Sequence, residues 1–394
     1  MADRGMVMSR AAFFYILIAV FCCGQTSRAN AQLFETKAKT AFMIDAQTGT
    51  VLFEKDADAP IPPASLAKLM TTEIVFHAIK TGSRSMSDTF KVSENAWRTG
   101  GASSGGSTMF AKLGSVIPLQ DLVRGVIVQS ANDACIIIAE GFAGSEDSFA
   151  TLMNERAKEL GLIKSIFKNS TGLPAAGQQV TMRELALLAK HIWQEYPENY
   201  KIFAEPDFTW NKILQRNRNP LLAMDIGADG MKTGFTEETG YAIVGSVERN
   251  GMRVFVAMSG MASERERAEE SRKLLDWGAT AFTRVAIYSK NEAMGDASVF
   301  GGTASSVAVG SPQDVAVLIP TANKDKLKAR ISYFGPIAAP IEKGQRIGTL
   351  KVYVGEALSQ ETPLFALNDV PAGTLFQRAA SALKELATGW IRSL

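Results

Sequence analysis

The stretch Tyr241-Ala-Ile-Val-Gly-Ser-Val-Glu-Arg-Asn-Gly-Met-Arg-Val-Phe-Val-Ala-Met258 sets two β-branched, apolar runs on either side of Arg249-Asn-Gly251. An Asn-Gly pair between such runs is a strong hairpin signal, because the tight turn needs positive φ at its centre. The hairpin predicts an antiparallel sheet, and the flanking sequence says what covers it. Downstream, Glu264 to about Phe282 reads as a helix. Upstream, Thr40-Ala-Phe-Met-Ile-Asp45 and Val51-Leu-Phe53, joined through Gln47-Thr-Gly49, read as a first strand pair. Pro62 and Pro63 end that pair and lead into a helix that starts near Ser65 and runs towards Lys80. Further helices are expected over Leu119–Phe142, Ser148–Leu160 and Thr181–Glu195. The order of strands, helices, strands and helix predicts an α+β fold with a sheet flanked by helices on both faces.

Composition changes after Thr283. Short strands over Asp314–Ile319, Lys328–Phe334 and Arg346–Val354, punctuated by Pro336, Pro340, Gly344 and Gly348, predict a separate small all-β domain. Beyond it, Phe376, Ala380, Leu383, Leu386, Trp390 and Leu394 recur near the helical period, with Arg378, Lys384, Glu385 and Arg392 largely outside the stripe. This predicts a C-terminal amphipathic helix after Pro371-Ala-Gly373. Its terminal place and its Trp390 beside basic residues suit the surface of a membrane, whereas packing on the β-domain is the alternative.

The N-terminus reads as a targeting segment. Arg4 and Arg10 precede an apolar run, Ala11–Cys23, too short to span a bilayer, and Ala29-Asn-Ala31 offers small residues for cleavage. Cleavage after Ala31 makes Gln32 the first residue and removes Cys22 and Cys23, so Cys135 is left without a disulfide partner. Within Ala134-Cys-Ile-Ile-Ile-Ala139 it reads as a small buried hydrophobe. The expected organisation is a signal peptide (1–31), a catalytic domain (32–283), a β-domain (284–370) and an anchor helix (371–394). A formal net charge of +2 without blocks of like charge argues against a nucleic-acid partner.

Three short motifs carry chemistry: Ser65-Leu-Ala-Lys68, Ser130-Ala-Asn132 and Lys232-Thr-Gly234. Each is weak alone, since Ser165-Ile-Phe-Lys168, Ser93-Glu-Asn95 and Lys80-Thr-Gly82 repeat the patterns. Context separates them. Ser65 follows Pro-Pro-Ala at a helix start, so Lys68 lies one turn on over the same face, and the helix dipole favours an alkoxide-like oxygen there. Lys168 precedes a turn-like segment, and Gly82 reads as the stop of the helix that Ser65 begins. Only the chosen set runs in the order nucleophile, Ser-x-Asn, Lys-Thr-Gly. His77 and His191 are the only histidines and both fall in expected helices, which argues against a Ser-His-Asp triad. No cluster has metal-ligand spacing, and no cofactor is expected. Lys68 is then the candidate base, provided burial and a nearby cation, with Lys232 across the cleft, make it neutral.

With these motifs the chain resembles the low-molecular-mass penicillin-binding proteins, the D-alanyl-D-alanine carboxypeptidases, among the penicillin-recognising serine enzymes. Asp45-Ala-Gln-Thr-Gly49, Pro63-Ala-Ser-Leu-Ala-Lys-Leu-Met-Thr71, Gly105-Gly-Ser-Thr-Met-Phe110, Asn169-Ser-Thr-Gly-Leu173 and Asp229-Gly-Met-Lys-Thr-Gly234 fit that family more narrowly. The resemblance implies a β-lactamase/transpeptidase-like sheet and removal of the terminal D-alanine from peptidoglycan stem peptides, with β-lactams as covalent inhibitors. It implies Ser65 as nucleophile, Lys68 as base, Ser130 as proton relay and Asn132 as a substrate-amide contact. Lys232, Thr233 and Gly234 would line the facing strand, with Arg218 and Arg267 assisting at the terminal carboxylate. Backbone N–H groups of Ser65 and Phe235 would form the oxyanion hole. Some relatives carry His where Phe235 stands, so a deacylation role of that side chain is lost or different here. The family commonly ends in a membrane-anchoring helix, which implies a periplasmic enzyme on the outer face of the inner membrane. Alternatives are a D,D-endopeptidase with the same chemistry, a class A-like β-lactamase and a non-catalytic peptidoglycan-binding protein. The β-lactamase would need a second base in a Glu-x-x-Leu-Asn pattern, and the segment after Leu173 has none; Glu184 falls in an expected helix.

Overall fold

Strand β1 (Thr40–Asp45) is buried along its length, and its alternate side chains divide between two cores. Phe42 and Ile44 point into the larger core, Ala41 and Met43 into the smaller. The same period-two division runs through the hairpin: Val244, Phe255 and Ala257 join the larger core, and Ile243, Val254, Val256 and Met258 the smaller. A sheet buried on both faces follows directly from that pattern. The computed structural model describes residues 34–249, 251–320, 327–354 and 357–388. The expected signal peptide, Trp390 and Leu394 of the terminal stripe, and Arg392 beside it lie outside the described residues.

In chain order, β1 and β2 (Val51–Lys55) precede a 3₁₀ turn at Ala64–Ala67 and helix α1 (Lys68–Lys80). A small ribbon pairs β3 (Thr89–Lys91) with β4 (Val116–Pro118). Helices α2 (Leu119–Arg124), α3 (Asn132–Ala143), α4 (Glu146–Glu159), α5 (Met182–Glu195) and the short α6 (Pro197–Tyr200) follow. A second ribbon, β5 (Asp207–Trp210) with β6 (Ile213–Arg216), leads to β7 (Ala228–Thr236), β8 (Gly240–Arg249), β9 (Met252–Met261) and α7 (Glu264–Ala281). The central sheet has the antiparallel order β2-β1-β9-β8-β7, which leaves β7 as a free edge. Phe76, Ile137 and Leu188 bring α1, α3 and α5 into the larger core, while Leu274 and Leu275 of α7 close the other face. Each fully buried side chain of this size contributes about 1.5–3 kcal/mol of hydrophobic stabilisation.

One expected helix is two. The segment Leu119–Phe142 breaks after α2 into a wider turn over Gly125–Gln129, and Ser130 then adopts φ 62° before α3 starts at Asn132. Tertiary hydrogen bonds override the helical periodicity: the Asn132 amide donates to the Ser107 carbonyl at 2.7 Å instead of continuing a helical ladder. The break puts the second motif at a corner rather than inside a helix.

After α7 the chain forms a β-domain with more strands than the periodicity predicted. These are β10 (Phe282–Tyr288), β11 (Gly295–Phe300), β12 (Ser306–Gly310), β13 (Val315–Pro320), β14 (Leu327–Tyr333), β15 (Ile337–Ala338), β16 (Arg346–Val354) and β17 (Ala357–Ala366). Six form a sheet in the order β14-β16-β17-β12-β11-β15, and β10 pairs with β13. Their core holds Val307, Val309, Val317, Leu350, Val352 and Leu364. Strand β17 escapes the sequence reading because it carries Pro363 and a polar centre. The domain is tied to the first by Leu318 in the smaller core, by Phe282 against Trp277 (centroids 5.3 Å apart) and by Arg284 Nη2 at 3.5 Å from Asp45 Oδ1. Helix α8 (Leu375–Thr388) leaves Leu375, Phe376, Leu383 and Leu386 exposed. Among the described residues no helix is long and apolar enough to cross a membrane.

Candidate active site

Ser65 sits in the 3₁₀ turn that opens α1, and the residue before it is strained: Ala64 has φ 48°, a left-handed conformation that costs a non-glycine residue energy. Two glycines press on this turn. A Cβ on Gly172 (φ 78°) would lie 1.8 Å from the Ala64 carbonyl oxygen. A Cβ on Gly234 would meet Leu66 Cγ at 3.1 Å and Ala64 Cβ at 3.2 Å. The loop after Asn169 and strand β7 therefore converge on the Ser65 turn, and the lack of a side chain at both positions permits it.

Lys68, 1% exposed, begins α1 and its Nζ donates to Ser65 Oγ at 2.8 Å and to the Thr171 carbonyl at 2.7 Å. Burial is the main cause that lowers its pKa to about 8, with the Arg218 cation adding to the effect. Lys232 is held well below its ordinary value by burial first and then by Lys68, Arg218 and Arg267. The repulsion between the two lysines is mutual, so Lys232 also disfavours a proton on Lys68, second to burial.

Ser130, at the corner between α2 and α3, is 2% exposed, and its Oγ has no hydrogen-bond partner among the described residues. Asn132 is buried at the start of α3, and Gly106 gives it room: a Cβ there would lie 2.8 Å from Asn132 Nδ2. The neighbouring Asp133 carboxylate accepts from Thr108 Oγ1 (2.6 Å) and from the amides of Met109, Ala111 and Ala134 (3.0 Å each), fixing the Gly105–Phe110 loop against the motif.

Lys232 and Thr233 are buried on β7 opposite, and Lys232 Nζ lies 3.4 Å from the Thr233 carbonyl. Phe235, 46% exposed, stacks on Tyr241 of β8 with centroids 4.3 Å apart. Arg267 of α7 is 6% exposed; its guanidinium lies 5.6 Å from the Tyr241 ring centroid and its Nε is unpaired among the described residues. Arg218 is exposed, and its charge acts on both lysines. The first and third motifs thus meet where β7 packs on the Ser65 turn, with Lys68 and Lys232 close enough for their charges to interact.

The repeated motifs lie elsewhere and are occupied. Ser165 Oγ donates to Glu184 Oε2 at 2.6 Å, Asn95 Nδ2 donates to Glu140, and Lys80 pairs with Glu195. Glu184 is likewise engaged, accepting also from the Lys164 amide. His191 Nε2 lies 3.3 Å from buried Glu73, away from Ser65. No group of His, Cys, Asp or Glu among the described residues could hold a metal ion. Two features escaped the sequence reading. The Thr171 carbonyl is backbone, and Glu146 lies before the helix expected over Ser148–Leu160, whereas that helix starts at Glu146 behind the N-cap Ser145. Cys135 is buried as expected, and it also lies close enough to Lys68 and Lys232 for their charges to act on it.

Comparison with known proteins agrees with this geometry. A family model described as D-alanyl-D-alanine carboxypeptidase matches residues 25–262, and one for the penicillin-binding protein 5 C-terminal domain matches 282–372. The D-alanyl-D-alanine carboxypeptidase DacC of Escherichia coli is 38% identical over 378 residues, 95% of this chain and 94% of that protein. Crystal structures of penicillin binding protein 5 from Haemophilus influenzae (TM-score 0.78, 34% identity, covering 86% of this chain and 99% of that one) and penicillin binding protein 6B from Escherichia coli (TM-score 0.68, 32%, 84% and 96%) share the fold. The chain belongs to the D-alanyl-D-alanine carboxypeptidase family of penicillin-binding proteins.

Proposed function

We propose that this enzyme removes the terminal D-alanine from peptidoglycan pentapeptides through an acyl-enzyme on Ser65. The observation that carries the reading is the buried Lys68 amine at 2.8 Å from Ser65 Oγ, with a pKa lowered to about 8. A lysine in that state takes a proton near neutral pH. Ser65 Oγ passes its proton to Lys68 and attacks the carbonyl of the penultimate D-alanine. The oxyanion is received by the backbone N–H groups of Ser65 and Phe235. The C–N bond then breaks, Ser130 hands its hydroxyl proton to the departing amine, and the Lys68 ammonium restores it. Water, deprotonated by Lys68, hydrolyses the ester.

The free edge of β7 supports the substrate's direction. A peptide added to that edge with its carboxylate at Lys232 and Thr233, helped by Arg218 and Arg267, brings its scissile carbonyl to Phe235. A bound carboxylate also returns charge to Lys232, whose protonated form burial disfavours. Asn132 holds the substrate amide, and Gly234 keeps β7 close enough for all these contacts. The upstream peptide then leaves past Thr236 into a cleft of about 630 Å³ between Pro174–Gln178 and Thr236–Glu238. β-Lactams acylate the same serine; their leaving amine stays tethered, which obstructs the hydrolytic water. The exposed apolar side chains of α8 support attachment to the outer face of the inner membrane, with the β-domain between membrane and active site.

Mass spectrometry of a pentapeptide incubated with the enzyme tests the activity. Loss of one D-alanine is expected. Faster cleavage of cross-linked dimers than of pentapeptide would favour the endopeptidase instead.

A further inference from the structure

The loop that holds Lys68 is itself held by a carboxylate from another element. The Thr171 carbonyl accepts from Lys68 Nζ at 2.7 Å. The preceding residue, Ser170, is fully buried; its carbonyl accepts from Thr71 Oγ1 at 2.7 Å. Its hydroxyl and its amide both donate to one oxygen of Glu146, at 2.5 and 3.3 Å. Glu146 is the first residue of α4, so that helix reaches across the domain to the loop beside the nucleophile.

The charges around Lys68 give this carboxylate a second role. Arg218 acts on Lys68 from the segment before β7, Cys135 from α3 and Glu146 from α4, while Lys232 on β7 shares the same repulsion. The nearest neutral groups are the Ser65 hydroxyl and the Thr171 carbonyl. Arg218 and Lys232 oppose a proton on the amine. Burial pushes the Cys135 thiol up to about 12, so it carries no charge near neutral pH. That leaves Glu146 as a carboxylate whose charge favours the ammonium form of Lys68.

We propose that Glu146 is a positioning residue for Lys68: through Ser170 it fixes the carbonyl that orients the amine, and its charge is the counter-charge to Arg218 and Lys232. The inference rests on the reading of Lys68 as the base. A nearby carboxylate favours the ammonium form, so loss of its charge makes neutral Lys68 available at lower pH.

The test is the acylation rate by a fluorescent penicillin, followed from pH 5.5 to 9.5 in the full chain. Glu146→Gln keeps an acceptor for Ser170 and removes the charge. Its acid limb is expected to move down by on the order of one pH unit. Ser170→Ala keeps the charge and cuts the link, so its plateau rate falls while the limb stays where wild type has it. Glu146→Asp, with the charge retained on a shorter arm, behaves like Ser170→Ala. Thermal melts check that each variant is folded, and Glu146→Ala replaces the glutamine variant if that one is not. An acid limb in Glu146→Gln that coincides with wild type overturns the proposal, as does a Ser170→Ala plateau equal to wild type. Near-normal acylation in Lys68→Arg overturns the reading of the base instead, and so the two failures are told apart.

Discussion

At the scale of single residues, the proposed chemistry rests on two side chains one helical turn apart. Ser65→Ala is expected to abolish both D-alanine release and covalent penicillin labelling. Peptide mapping of labelled wild type checks the anchor, and recovery of label on Ser130 or Ser165 would overturn it. Lys68→Arg keeps the charge but cannot lose its proton, and acylation should fall by at least ~100-fold, the lower end for a missing general base. The pH profile has a definite sign. Acylation needs neutral Lys68, so the rate should rise with pH through a midpoint near 8 and fall as the amine is protonated below it. Stopped-flow acylation across that range measures the limb; a flat profile would remove Lys68 from the role. These residues were legible in the sequence because Ser-x-x-Lys at a helix start has a fixed geometry. Glu146 was not, since its partner Ser170 is 24 positions away and nothing in either local pattern refers to the other.

At the scale of elements, the site exists because β7 and the Asn169–Leu173 loop approach the start of α1 closely. Gly172→Ala forces a Cβ to within 1.8 Å of the Ala64 carbonyl at φ 78°. It should destabilise the protein by roughly 2–4 kcal/mol, from the left-handed backbone and the clash together, and a denaturant melt reads this directly. An unchanged midpoint would mean that the loop sits farther from Ser65. Strand β7 makes a prediction about substrate as well. Amidation of the peptide's C-terminus removes the proposed partner of Lys232 and Thr233 and should lower kcat/KM by roughly 10- to 100-fold, the worth of a charge-assisted hydrogen bond. Equal turnover of amidated and free peptides would exclude carboxylate recognition. The break at Ser130 belongs to this scale too. Leu119–Phe142 has the composition of one helix, and it divides where Ser130 turns to φ 62° and the Asn132 amide donates to the Ser107 carbonyl.

At the scale of the whole molecule, truncation after Pro371 keeps the Ile341–Val370 bridge of the β-domain and removes α8. The truncated enzyme is expected in the soluble periplasmic fraction with its activity intact, while the full chain sediments with membranes. Fractionation followed by penicillin labelling checks this, and a soluble full-length protein would mean that α8 is not an anchor. By itself the sequence determined the hairpin, the two-sided burial of the sheet, the change to a β-domain after Thr283 and the order of the three motifs. All of these are local: an Asn-Gly turn, a period of two or a serine one turn from a lysine is written in neighbouring residues. Only the tertiary structure showed what lies opposite each repeated motif, a glutamate at Ser165 and a lysine at Ser65. It also decided the environment of Lys68, the proposed base. Burial lowers its pKa, and burial is the sum of what α1, α3, α4, β7 and the loop at Thr171 bring around one amine, which no window of sequence contains.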